Sequence, residues 1–111
     1  MLFHKKLYVD EEISKHKRKK IKNLKYSKLM LGVYVITLSN NPNDELDIIP
    51  SYVLMQKIYK DMELIVVGIA SDRDNALELL NRMTYDCLNE TGNVSFKQYF
   101  NILYIIRQHS F

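Results

Sequence analysis

Glycine is scarce in this sequence, with three in 111 residues, and no two lie close enough to build a phosphate loop. The strand-to-helix turn at Gly68-Ile69-Ala70-Ser71 has one glycine where such a loop needs several, and no Lys-Ser/Thr pair follows it. Asp72 and Asp74 would repel an anion at that helix end, so Gly68 reads as a position of close packing. Cysteine is scarcer still. Cys87 stands alone, which excludes an intramolecular disulfide, and its place on an apolar helical face makes it a small buried hydrophobe. His4, His16 and His109 are far apart and no ligand pair sits at i, i+4, so no metal site is expected. Asp10, Glu11 and Glu12 precede a lysine-rich helix, where carboxylates suit the positive helix end better than they suit acid–base work. No spacing offers a nucleophile, a base and an orienting group together. Neither catalytic residue, cofactor nor small-molecule substrate is therefore assigned, and an enzyme ranks third among the function classes.

Long apolar runs are missing too. None approaches the ~20 residues of a membrane span, and Met1-Leu2-Phe3-His4-Lys5-Lys6 lacks the apolar core of about 7–15 residues that a secretory signal requires. The expectation is a soluble cytoplasmic protein, in which the sequons at Asn89 and Asn93 are chance matches.

What is present is an ordinary globular balance, 47% hydrophobic and 26% charged, at a length that suits one domain over residues 1–111. The chain is organised around residues 63–92. Leu64-Ile65-Val66-Val67-Gly68-Ile69-Ala70 is apolar throughout, as a strand covered on both faces must be. Ser71 is placed to cap a following helix, with Asp74 three residues on. Ala76, Leu77, Leu80, Met83, Cys87 and Leu88 form the apolar side of that helix, and Gly92 ends it.

Around this unit, Leu7-Tyr8-Val9 reads as a first strand and Glu11 to Tyr26 as a helix anchored by Ile13, Ile21 and Leu24. Val33 to Leu38 is a second strand with no clearly polar face. A turn cluster from Ser39 to Asp44 leads to a third, Leu46-Asp47-Ile48-Ile49, which returns antiparallel to the second. Pro50 ends it, and Ser51 to Tyr59 reads as a short helix. Val94 to Phe111 fits a helix or a strand equally. The sum is an α+β fold, a small and mostly antiparallel sheet with two main helices on one face, in two layers. The uncovered face would then need the C-terminal segment or a second copy of the protein.

The feature furthest from average is charge. Residues 1–31 carry ten Lys/Arg against three acidic residues, and the remainder is acidic by four charges. The basic helix, residues 13–28, displays Lys15, Lys17, Arg18, Lys19, Lys20, Lys22 and Lys25, with Tyr26 beside them. Lysines that neutralise phosphates release counterions, and a tyrosine stacks on bases, so these eight residues are the candidate site for nucleic acid or an acidic partner. The plainer reading is a solvated face that keeps the protein soluble. Arg18 is the only arginine of the ten, which argues against base reading or a bidentate phosphate site, and no Trp is present to favour a membrane surface.

Val35-Ile36-Thr37-Leu38, Asp47-Ile48-Ile49, Val67-Gly68-Ile69-Ala70 and Ala76-Leu77-Glu78-Leu79, in this order, resemble a group of short uncharacterised bacterial proteins, over about residues 7–100. The resemblance implies a compact cytoplasmic α+β protein and transfers no site residue. The expected function is binding without catalysis, as a homodimer or with a protein partner; the alternative is a nucleic-acid-binding module that uses the basic helix.

Overall fold

The computed structural model describes residues 1–26, 32–38, 46–60, 63–100 and 105–106. Its elements run β1 (Leu2–Val9), α1 (Glu11–Ser14), α2 (Lys17–Lys25), β2 (Tyr34–Leu38) and β3 (Leu46–Pro50). A 3₁₀ turn (Ser51–Met55), α3 (Lys57–Lys60), β4 (Ile65–Ala70), α4 (Arg73–Thr91), α5 (Phe96–Tyr99) and β5 (Ile105–Ile106) follow. The strands form one sheet in the order β3-β2-β4-β1-β5. Among the described residues, only the β1–β4 pair is parallel. The fold is α+β with a mostly antiparallel sheet, as the sequence predicts. The Ser39–Asp44 turn, Lys28 and most of the last eleven residues lie outside the described residues.

The placement of the helices differs from expectation. Ile13, Ile21 and Leu24 of α1 and α2 join Phe3, Val35, Val66, Ile69 and Leu54 in one core cluster. Ala76, Leu79, Met83 and Cys87 of α4 join Ile36, Val67 and Ala70, with Phe96, Tyr99 and Phe100, in another. Val35 and Ile36 are successive strand residues and point to opposite faces, so the helices divide between the two faces rather than sharing one. The cause is legible in β2 and β4, whose two faces are both apolar and both require cover. That cover comes from within the chain.

β4 is the hub, with Val66, Val67, Ile69 and Ala70 fully buried. Between Ile36 and Thr37 of β2 its register jumps from Gly68 to Val66, a bulge. A Cβ at Gly68 would lie 2.7 Å from Met83 Cε and 3.3 Å from Ile36 Cβ, so glycine here lets α4 lie close on the sheet. β1 starts earlier than predicted because its polar residues find partners. His4 is buried edge-on to Phe100 and Lys6 lies over the Tyr99 ring. Pro50 closes β3 at the sheet edge, where the missing N–H costs no ladder bond.

Three local expectations are corrected. The single helix from Glu11 to Tyr26 is two, because Ser14 to Lys20 contains no apolar residue to hold a continuous stripe and its cations repel at i, i+4. The cap of α4 is Asp72, whose carboxylate accepts from Asn75 N–H at 2.8 Å, while the Ser71 hydroxyl donates to Asp10 instead. The buried side of α4 is Ala76, Leu79, Met83 and Cys87, leaving Leu77 and Leu88 exposed and Leu80 half-buried. Gly92 ends α4 in the left-handed conformation (φ 76°), as predicted.

Candidate nucleic-acid interface on α2

α2 docks through Ile21 and Leu24 alone. At 3.6 residues per turn, Arg18, Lys22, Lys25 and Tyr26 fall on one flank of that seam, within an arc of about 100°. With Ile21 they line a groove of about 480 Å³. Arg18 and Lys22 are exposed, Lys25 is half-buried, and Tyr26 is 66% exposed at the C-terminal cap. The helix terminates just past Lys25, so cations of its last turn also offset the negative end of the dipole.

Four of the eight candidate residues are thus brought together by the fold. The other four are not. Lys15 reaches Glu12 at 3.5 Å across an exposed i, i+3 step. Lys17 and Lys19 are exposed but outside the groove lining, and Lys20 is half-buried on the opposite flank of the seam. Among the described residues, ion pairs form at Lys6–Glu90 and Lys15–Glu12, and no acidic side chain pairs with Arg18 or Lys22. Ile21, which lines the groove as well as the core, is absent from the sequence-based site; its i+3, i+4 relation to Arg18 and Lys25 is the signal that marks it.

Two further polar constellations have structural explanations. Asp10 and Ser71 follow the carboxyl ends of the parallel neighbours β1 and β4, whose helices leave towards opposite faces. Asp10 Oδ1 accepts from Ile13 N–H at 2.8 Å, and Oδ2 accepts from Ser71 N–H at 2.6 Å and the Ser71 hydroxyl at 2.7 Å. Burial pushes this carboxyl upward, but the bonds from Ser71, Ile13 and Glu12 outweigh it and hold the pKa below the ordinary aspartate value. Asn75 Nδ2 donates to Ser71 Oγ at 3.2 Å and completes the tie. A cleft of about 210 Å³ beside it is lined by Asp10, Glu11, Asn75, Glu78, Leu79 and Arg82, with three carboxylates to one guanidinium.

On the α4 side of the sheet, the Tyr8 hydroxyl donates to Asp86 Oδ2 at 2.5 Å. Its one proton is thereby used, so Tyr99 donates to the Tyr8 oxygen. Burial, followed by the bonds to Asp86 and Tyr99, drives the Tyr8 pKa far above the ordinary phenol value. This tyrosine is a locked hydrogen-bond donor, not a base.

Among the described residues, no group of three His, Cys, Asp or Glu side chains is arranged to hold a metal ion. No helix among them is long and apolar enough to cross a membrane. Comparison with known proteins finds no match among protein-family models, curated proteins or solved structures.

Proposed function

We propose that this protein is a nucleic-acid-binding module whose contact surface is the flank of α2. The observation that carries the reading is the groove itself, in which Arg18, Lys22 and Lys25 stand around an exposed tyrosine. Cations alone are a solvated face. Cations grouped around an aromatic ring in a recess match what a phosphate-and-base ligand offers. The expectation of a homodimer rests on an apolar sheet face that needs cover, and α1, α2 and the 3₁₀ turn supply that cover within one chain. This removes the ground given for a homodimer.

The test is binding of the purified protein to mixed-sequence oligonucleotides at about 50 and 200 mM salt. Each neutralised phosphate contributes a slope of about −0.7 on single strands and −0.9 on duplex, so three contacts give a loss of roughly 20- to 40-fold over that range. Engagement of all seven candidate cations would give a loss on the order of a thousandfold or more. Lys22→Gln lowers the slope by about one contact, whereas Lys20→Gln leaves it in place. Absence of binding at the lower salt refutes the proposal and returns the lysines to a solvated face.

A further inference from the structure

We infer that the α2 groove selects single-stranded nucleic acid, with one unstacked base against Tyr26 and its flanking phosphates at Arg18 and Lys22; this rests on the nucleic-acid reading above. The geometry of the groove separates single strand from duplex. A helix that reads duplex DNA projects into the major groove as a ridge and presents side chains to base edges. α2 has nine residues, and its seam is committed to the core through Ile21 and Leu24, both buried. Its cationic flank lines an open groove with Ile21 on its floor side, not a projecting ridge. Stacked and paired bases cannot turn into such a groove, whereas an unpaired nucleotide can.

The ends of the groove differ in a way that orients the ligand. Arg18 and Tyr26 are about 12 Å apart along the axis at 1.5 Å per residue. Tyr26 sits at the C-terminal end, where helix carbonyls disfavour phosphate, and its ring offers a face that accepts any base. Arg18 is the second residue of α2, about two turns from those carbonyls, and holds a phosphate by its charge. The base therefore lies towards Tyr26 and the phosphates towards Arg18 and Lys22. Lysines hold phosphates as point charges, and Arg18, the one base-edge reader among the described lining residues, is engaged by a phosphate, so binding is tolerant of sequence.

The experiment compares a mixed-sequence single-stranded 12-mer, its duplex and a polyglutamate of the same charge, each against wild type, Tyr26→Ala, Tyr26→Phe and Lys22→Gln. Tyr26 is exposed, so its removal leaves the core intact. The expected result is tighter binding of the single strand than the duplex, with Tyr26→Ala weakening only the single strand, by about 5- to 150-fold for one stacked base. Tyr26→Phe keeps the ring face and retains the affinity. Equal single-strand and duplex affinity overturns the inference. So does single-strand affinity unchanged by Tyr26→Ala; if Lys22→Gln still weakens binding in either case, the nucleic-acid reading stands. Polyglutamate bound as tightly as the single strand overturns it in favour of charge alone. If no oligonucleotide binds at about 50 mM salt, both readings fail together.

Discussion

Replacing Asp10 tests how the two halves of the core are tied together. Its carboxylate caps α1 on one face of the sheet and holds Ser71, the residue before the cap of α4, on the other. Asp10→Ala removes a helix cap, a loss of about 1 kcal/mol. It also strands the Ser71 N–H without its acceptor, which costs about 1–3 kcal/mol more. A total of roughly 3 kcal/mol is expected, a large share of the stability of a domain this size. Asp10→Asn keeps an amide oxygen for Ile13 but turns a donor towards the Ser71 N–H, so it loses about 2 kcal/mol by keeping the cap alone. Ser71→Ala loses one hydroxyl contact, about 1 kcal/mol.

Denaturant unfolding at neutral pH, with unchanged slope, gives these differences directly. The pH dependence has a definite sign. The folded pKa of Asp10 lies below its unfolded value, so the stabilisation is present above the ordinary aspartate pKa of about 3.8 and disappears as pH falls through the folded value. The gap between wild type and Asp10→Asn should therefore narrow on acidification below that point. An Asp10→Ala protein within about 0.5 kcal/mol of wild type at pH 7 would refute the tie, as would a gap that does not change down to pH 3.

Gly68→Ala places a methyl 2.7 Å from Met83 Cε, 3.1 Å from Ile36 Cδ1 and 3.3 Å from Ile36 Cβ. The methionine end can swing away but Ile36 Cβ cannot, so a loss of about 1–3 kcal/mol is expected in chemical denaturation. Met83→Leu, which lacks the terminal methyl, should recover part of it in a double-mutant cycle. Thr37 presents the opposite case. Its side chain is 1% exposed and its hydroxyl has no hydrogen-bond partner. Thr37→Val keeps the shape and removes the unsatisfied group, so melting temperature should rise, by about 1 kcal/mol in stability terms; a fall would show that the hydroxyl has a partner.

The α+β class and the strands β2, β3 and β4 were legible because their signals are strong and local. β4 is apolar at nearly every position, and β2 and β3 are separated by a turn cluster. The division of helices between two faces was written in the same residues, since a strand with Val35 on one side and Ile36 on the other needs two covers. What periodicity could not supply was long-range chemistry. Ser71 looks like a cap until Asp10, sixty-one residues earlier in the chain, arrives beside it with a stronger acceptor. Leu77 and Leu79 both continue an apolar helical pattern, and only the low ground at Gly68 decides which side of α4 faces the sheet. For the candidate site, composition marked eight residues without distinguishing among them. The positions of Ile21 and Leu24 in the seam then decide that Arg18, Lys22, Lys25 and Tyr26 share a groove.

The break between α1 and α2 bears on why the lysines are there at all. A face that serves solubility alone mixes both signs, since i, i+4 pairs of opposite charge stabilise a helix and like charges weaken it. From Ile13 to Asn43 the sequence has no acidic residue, and α2 has none in its first turn. Repulsion among these cations is therefore unrelieved by acidic neighbours on α2 itself, a helix with two buried apolar side chains. The acidic residues that could have offset it, Glu11 and Glu12, lie across the break on α1, where Glu12 reaches only Lys15. On the proposed reading, a polyanion seated along the flank removes that repulsion and adds a stacked base at Tyr26.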